Sequence, residues 1–249
     1  MTDLGATLAG VRLPFCAMNA PGAWSSTTAE IRGLAASATG AVVLRTATLH
    51  PFVHPQYRSL HNPGYDKLLP LVRELAAAGG KPVIASVAGA TVLEYVTLAR
   101  AFAEAGAALV DANLADPWVS ATLAPFEDRE HLAELLGQVV AASPVPVAVT
   151  LPERPGLAYR VIGAALAEAR VHVVAVRNDF SGLEKLLVEA GRGFDVIAVG
   201  GVRSGYDVTR ALAKGARAVQ VGSALVTEGP AIFTRLVREI RIARGEHPA

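Results

Sequence analysis

The feature that most constrains the fold is a repeated alternation of short apolar, β-rich runs with segments of helical periodicity. Eight such runs occur: Phe15–Met18, Ala41–Leu44, Pro82–Ser86, Ala108–Ala112, Val145–Thr150, Val171–Val176, Asp195–Val199 and Ala218–Val221. Strands that alternate with helices form parallel sheets with right-handed crossovers, and eight such units close a barrel of about 250 residues. The sequence therefore predicts an α/β fold of the (β/α)8 TIM-barrel type. An open doubly wound sheet is the alternative, because periodicity alone does not exclude it.

The stretches between the runs carry helix-start signals. Thr27 and Thr91 are each followed three residues later by Glu, which is the spacing of a capping box. Pro230 suits the first turn of a last helix that runs to about Ile242.

No linker, low-complexity tract or change of composition marks a domain boundary. We therefore expect one barrel domain over residues 1–249. Residues 4–12 precede the first predicted barrel strand, and a small hairpin there would plug the barrel floor.

Composition and charge narrow the classes of partner. The chain is 52% hydrophobic and 18% charged, which suits strands that are covered on both faces. Its net charge of +1 is spread along the chain, which argues against a nucleic-acid or membrane surface and favours small-molecule partners. The first residues, MTDLGATLAG, lack the basic and apolar succession of a secretory signal, so we expect a cytoplasmic protein.

Cysteine and histidine usage predicts no metal site. The single cysteine, Cys16, excludes an internal disulfide and a multi-cysteine cluster, and is most simply a small buried hydrophobe. His50 and His54 are four residues apart, but prolines interrupt the segment between and around them.

The strongest chemical signal is a set of small residues at the ends of the last two predicted strands. Gly200 and Gly201 follow the seventh run, and Gly222 and Ser223 follow the eighth. Backbone N–H groups beside glycine can close on an anion with no Cβ in the way, and a helix amino terminus adds partial positive charge. The pattern predicts a phosphate site; for the glycine pair, an ordinary tight turn is the alternative.

Residues 200–240 resemble the corresponding part of the dihydroorotate dehydrogenase family, which are FMN-dependent barrels that oxidise dihydroorotate. Residues 18–22, MNAPG, are similar to the family's first strand and its N-A-S-G turn, and residues 111–117, DANLADP, to its E-L-N-L-S-C-P run after strand four. The resemblance implies FMN as cofactor, a small-molecule substrate and a role in pyrimidine biosynthesis. It also implies a homodimer, because homologous barrels often dimerise.

By this resemblance, the FMN phosphate lies on Gly200, Gly201, Gly222 and Ser223. The residues implied to lie against the flavin ring are Ala20, Pro21, Gly22, Arg45, Asn113 and Thr150. Arg45 and Thr150 stand where the family has lysines. Since a cation helps to hold the negative charge of a reduced flavin, Thr150 supplies a hydroxyl where a charge is expected.

Asp116 stands at the position of the family's catalytic cysteine, which takes a proton from the substrate. A carboxylate can act as a base, and burial against a flavin would raise its pKa towards the useful range. We therefore predict Asp116 as the catalytic base; the alternative is a turn residue before Pro117. The predicted substrate contacts are Asn113, Arg177 and Asn178, and for Arg177 a surface ion pair is the alternative.

Three functional hypotheses remain open from the sequence. The first is an FMN-dependent oxidoreductase acting on a small cyclic metabolite. The second is a non-redox lyase or isomerase that binds a phosphorylated metabolite and uses Asp111, Asp116 or Asp179 for acid–base chemistry. The third is a catalytically silent relative. The family's long loop after strand two and its glycine pair before strand seven have no counterpart here, which counts against dihydroorotate itself and weakens the case for FMN.

Overall fold

The structure is a computed structural model that describes residues 3–53, 61–116, 128–152, 156–177, 182–191 and 193–246. The strands within these ranges are β1 (Ala6–Leu8), β2 (Val11–Leu13), β3 (Ala17–Asn19), β4 (Val42–Val43), β5 (Val83–Val87), β6 (Leu109–Asn113), β7 (Val147–Thr150), β8 (Val173–Arg177), β9 (Asp195–Val199) and β10 (Ala218–Val221). The α-helices there are α1 (Thr28–Ala36), α2 (Leu69–Ala77), α3 (Val92–Glu104), α4 (Arg129–Ala142), α5 (Tyr159–Glu168), α6 (Gly182–Glu189), α7 (Gly205–Ala213), α8 (Ser223–Glu228) and α9 (Ala231–Ala243).

Strands β3 to β10 form one parallel sheet in the order β3-β10-β9-β8-β7-β6-β5-β4. The first of these strands in the chain, β3, pairs with the last, β10, and also lies beside β4. The sheet therefore curls round into a barrel. Each of the eight predicted runs overlaps one of these strands. The prediction of an α/β (β/α)8 barrel is confirmed, and the open doubly wound alternative is wrong.

The seam between β3 and β4 is closed by a side chain. The buried Asn19 donates from Nδ2 to the Val43 carbonyl over 2.7 Å, and its Oδ1 accepts from the Val43 N–H over 2.8 Å. At the same seam the Gly40 N–H donates to the Ala17 carbonyl over 2.8 Å. A Cβ on Gly40 would lie 1.7 Å from the Phe15 carbonyl oxygen, so only glycine fits there.

The floor of the barrel is apolar and sealed. β1 and β2 pair as an antiparallel hairpin, and Leu8 and Leu13 are fully buried beneath the barrel strands. The tip of the hairpin is held at the start of β9, where the Ala9 N–H donates to the Asp195 carboxylate over 2.8 Å. The two leucines join one apolar cluster with Met18, Ala41, Val43, Ile84, Leu109, Ala148, Val173, Ala175, Ile197 and Ala218.

The helix starts follow the sequence signals. Thr27 forms a reciprocal capping box with Glu30, and Thr91 caps α3 by accepting from the Glu94 N–H. Pro230 immediately precedes α9, as predicted. Cys16 is buried, as expected, and burial raises the pKa of its thiol to about 11. No helix of the described ranges is long and apolar enough to cross a membrane.

Candidate active site

A cavity of about 240 Å³ opens at the carboxyl ends of the barrel strands, the face on which barrels of this architecture carry their active sites. Its described lining consists of Ala20, Pro21, Gly22, Arg45, Thr46, Asn113, Ala115, Asp116, Thr150, Val199 and Gln220. All six residues implied to lie against a ring, together with the predicted base, therefore surround one cavity. A larger groove of about 820 Å³ lies at the amino ends of β8 and β9 and contains none of the predicted residues.

Polar side chains enter the barrel because alternate residues of a strand point to the same face. Leu109 belongs to the apolar floor, so Asp111 and Asn113, two and four residues further along β6, also face inward. Thr150 follows Ala148 in the same way on β7. The barrel interior thus changes from apolar to polar along its axis.

Asp111 lies just beneath the cavity and is 2% exposed. The hydroxyl of Thr150 donates to its carboxylate, with Oγ1 lying 2.8 and 3.0 Å from the two oxygens. Burial raises the pKa of Asp111 to about 6, because the hydrogen bonds from Thr150 and Ser86, which lower the pKa, offset only part of the cost of desolvating the charge. The carboxyl therefore changes charge close to neutral pH.

A second chain of hydrogen bonds runs from Asp111 to the cavity through β5. Asn113 Nδ2 donates to Thr46 Oγ1 over 2.8 Å, and Thr46 Oγ1 lies 3.0 Å from Ser86 Oγ. Since Ser86 hydrogen-bonds the Asp111 carboxylate, its own hydroxyl must be the donor there and the Thr46 hydroxyl must donate to Ser86. The amide of Asn113 is thereby oriented, with its Oδ1 accepting from the Ala115 N–H over 3.0 Å.

Charged groups of opposite sign face the cavity. Arg45 follows β4 and is 8% exposed, and burial lowers the pKa of its guanidinium. Asp116 follows β6 and is partly exposed. Burial raises the pKa of the Tyr95 hydroxyl, and the charge of Asp116 raises it further by a smaller amount. The arrangement offers one cation and one carboxylate to a ligand.

The four residues predicted to hold a phosphate lie next to this cavity. Val199 and Gln220 line it, and they precede Gly200 and Gly222 by one and two residues. Gly200 and Gly201 have φ of +75° and +68°, a backbone conformation that favours glycine. A Cβ on Gly200 would meet nothing within 4 Å, so the space before it is open. Ser223 is the first residue of α8.

Arg235 of α9 ties together the segments that follow these small residues. Its guanidinium donates to the Arg203 carbonyl over 3.0 Å and to both Glu228 carboxylate oxygens over 2.9 and 2.8 Å. It also donates to Glu239 over 2.6 Å, and Glu239 accepts from the Gly205 N–H over 2.7 Å. The sequence analysis missed Arg235; the only signal was its four-residue spacing from Glu239.

Two of the predicted substrate contacts, Arg177 and Asn178, are not among the described residues that line the cavity. Arg177 ends β8 with its side chain exposed and is not part of the described lining. Asn178, like Asp179, Pro117 and His54, lies outside the described ranges. The roles of Arg177 and Asn178 therefore stay predictions.

Two polar lining residues, Thr46 and Gln220, were not predicted. Gln220 is 2% exposed, and its Oε1 has no hydrogen-bond partner. The available signal was a polar residue within an apolar run, since Gln220 interrupts the sequence Ala-Val-Gln-Val of β10. Across the described ranges, no group of three or more His, Cys, Asp or Glu side chains is placed to hold a metal ion.

Comparison with known proteins agrees with this architecture. A family model described as dihydroorotate dehydrogenase matches residues 183–243, which include β9, β10 and the segments tied by Arg235. A dihydroorotate dehydrogenase (fumarate) of Trypanosoma cruzi is 29% identical over 274 aligned residues, which cover 90% of this chain and 87% of that protein. The chain is similar to dihydroorotate dehydrogenases and is a divergent relative of them.

Other similar proteins also match nearly the whole chain. The catalytic subunit of a dihydroorotate dehydrogenase B (NAD(+)) from Thermoplasma acidophilum is 26% identical, over 96% of this chain and 93% of its own length. A dihydroorotate dehydrogenase A (fumarate) from Lactococcus lactis subsp. lactis is also 26% identical, over 90% and 88%. The enzyme class is accordingly that of a dihydroorotate dehydrogenase-like oxidoreductase.

Proposed function

We propose that this protein is an FMN-dependent oxidoreductase that acts on a small cyclic metabolite related to dihydroorotate. The observation that carries the proposal is one cavity lined by all six ring-side residues and by Asp116, directly beside two glycines of positive φ. The names of the relatives support the substrate class, because each is called a dihydroorotate dehydrogenase. The pathway implied by those names is pyrimidine biosynthesis.

The residues present fit FMN. A phosphate would occupy the open space before Gly200 and Gly201 and be reached by the backbone N–H groups of Gly222 and Ser223 at the start of α8. The ring would lie in the cavity between the segment 20–22 and the side chains of Asn113 and Thr150. Bound there, FMN supplies a ring that accepts two electrons from the substrate.

The polar side chains then have separate tasks. Asn113 presents an amide whose orientation is set by Thr46 and the Ala115 N–H. Asp116 is the candidate base that takes a proton from the substrate, while Arg45 supplies positive charge to the same cavity. Arg177 and Asn178 are the further substrate contacts that the family resemblance implies.

One observation favours the second hypothesis, a non-redox lyase or isomerase. Asp111, whose pKa is raised to about 6, is suited to acid–base catalysis, and Thr150 lacks the charge that the resemblance leads one to expect beside a reduced flavin. Flavin content separates the two hypotheses, since a lyase of this kind needs no flavin.

The first experiment is the visible absorption spectrum of the purified protein, followed by titration with FMN and with riboflavin, which lacks the phosphate. We expect flavin fluorescence to be quenched by FMN binding, with riboflavin at least tenfold weaker because it leaves the phosphate site empty. A colourless protein that binds neither compound would rule out the oxidoreductase proposal and favour the second or the silent hypothesis.

A matched pair of glycine variants tests the phosphate site. Gly200 and Gly79 both have positive φ, +75° and +63°, and a Cβ on either would meet nothing within 4 Å. Ala at each position therefore carries similar backbone strain. We expect Gly200→Ala to weaken FMN binding tenfold or more and Gly79→Ala to leave it unchanged. Equal affinities in the two variants would contradict the assigned site.

A further inference from the structure

The buried carboxylate of Asp111 is not explained by the proposed function. It is removed from solvent, yet its partners on the described elements around it are neutral: the hydroxyl and backbone N–H of Thr150 on β7 and the hydroxyl of Ser86 on β5. A buried carboxylate held only by neutral donors is costly, and proteins retain such groups mainly where their proton is used.

The charged or titratable groups on the neighbouring elements do not set its charge. At this end of the barrel they are Arg45 after β4, Asp116 after β6, Arg177 at the end of β8, and Glu94 and Tyr95 of α3. The pKa of Asp111 responds to burial and to the hydrogen bonds from Thr150 and Ser86. Of these five groups Tyr95 is coupled to it, because burial and, by a smaller amount, the charge of Asp111 raise the pKa of the Tyr95 hydroxyl. Asp111 is therefore electrostatically separate from the cation and carboxylate that face the cavity.

Thr150 connects Asp111 with the cavity. Its hydroxyl bonds the carboxylate, and the residue also lines the cavity wall. A hydroxyl has one proton and two acceptor lone pairs. While Asp111 is ionised, the Thr150 proton points inward to the carboxylate. When Asp111 binds a proton, it can donate to Thr150 Oγ1, and the Thr150 proton is then free to turn to the ligand.

We propose that Asp111 takes up one proton when an anionic or acceptor group occupies the cavity, and that Thr150 transmits this change by turning its hydroxyl from Asp111 to the ligand. The proton comes from water and ends on the carboxylate; no electron moves in this step. In the proposed flavoenzyme, which this inference deepens, Asp111 loses its charge as the ring gains one. It thus compensates for the absence of a cation at position 150.

Proton binding to Asp111 and anion binding in the cavity should favour each other. An ionised Asp111 repels negative charge in the cavity, so such charge stabilises the protonated form and raises the pKa of the group further. Conversely, protonated protein binds an anionic group more tightly, and affinity falls as the pH rises through the pKa of Asp111. Asp111→Asn keeps the shape of the side chain and removes this dependence.

The decisive experiment is an infrared titration of the ligand-free protein from pH 4.5 to 8. The difference between the natural protein and Asp111→Asn should show one carboxyl band that titrates near pH 6. Thr150→Val, which keeps the shape but removes the hydroxyl, should move the midpoint upwards by about one pH unit, because a hydrogen bond that favours the charged form is lost. Thr150→Ser keeps the hydroxyl and should leave the midpoint in place.

A second arm measures protons taken up when protein-bound FMN is reduced with dithionite in weakly buffered solution at pH 7. The natural protein should take up nearly one proton more per FMN than Asp111→Asn. Two results would overturn the inference even if FMN binds. One is equal proton uptake by the natural protein and Asp111→Asn, and the other is an infrared midpoint that Thr150→Val leaves unchanged. If FMN does not bind, the proposed function fails, and the infrared titration of the Thr150 variants decides the inference by itself.

Discussion

The two halves of the barrel interior differ in polarity: the lower half is apolar and the upper half is polar. The floor is a closed apolar cluster that the hairpin leucines seal from below. The upper half contains hydrogen-bonded polar groups, namely Ser86, Asp111, Thr46, Asn113 and Thr150, and a cavity above them. Burial of apolar side chains in the floor stabilises the fold. Desolvation of the polar side chains in the upper half lowers stability, but these groups are the ones available to a ligand. Side chains in the two halves should therefore respond to substitution in opposite ways.

The largest expected effect lies in the floor. Leu13→Ala should lower the free energy of unfolding by roughly 4 kcal/mol, because it opens a cavity in a fully buried cluster. Urea unfolding at pH 7 measures the loss. FMN affinity of the remaining folded protein should not change, and a matching loss of affinity would show that the two halves are not independent.

The second-largest expected effect is the pH-dependent change in stability on replacing Asp111 in the upper half. The folded pKa of Asp111 is about 6 against an ordinary 3.8, so the folded protein holds this proton more tightly than the unfolded chain does. The contribution of Asp111 to stability is thus fully present below pH 3.8 and is lost as the pH rises to about 6. Relative to the natural protein, Asp111→Asn should become more stable by up to about 3 kcal/mol between pH 4 and pH 8. Denaturant unfolding across this range tests the sign, and a constant difference would refute it.

Arg235→Ala tests whether the phosphate-side segments depend on α9. Loss of its hydrogen bonds to the Arg203 carbonyl and to Glu228 should cost about 2 kcal/mol in unfolding free energy and weaken FMN binding. The control is Arg32→Ala, which breaks the exposed Arg32–Glu74 pair far along the chain from these segments. That variant should cost less than about 1 kcal/mol and leave FMN binding intact.

The smallest effect should be a gain. Gln220→Met replaces a buried amide, whose Oε1 lacks a partner, by an apolar side chain of similar length. Removing the unsatisfied group should stabilise the protein by about 1 kcal/mol, measured by thermal or denaturant unfolding. A loss of stability instead would mean that the Gln220 amide makes a favourable contact in solution. The buried amide would then not destabilise the upper half.

Local signals were enough for the fold and for most of the cavity wall. Short apolar runs between helical segments identified all eight barrel strands, and family resemblance selected six ring-side residues that the structure brings together. Arg177, predicted to contact substrate, ends its strand exposed and outside the described lining, so its role stays a prediction. Thr46 and Arg235 were not selected, because their partners Asn113 and the Arg203 carbonyl are distant in sequence. Gln220 was not selected, because it lies within an apolar run.

The sequence by itself determined the barrel class, since eight apolar runs separated by helical segments have few other ways to bury both strand faces. It also marked Gly200 and Gly201 as a turn at the end of a strand, and both residues have positive φ. Only the tertiary structure decided that Thr150 meets Asp111, that Asn19 bonds Val43 across the seam, and that Arg235 reaches the Arg203 carbonyl. A period of two tells which face a strand residue points to, but the stagger between neighbouring strands sets the level at which two inward side chains meet.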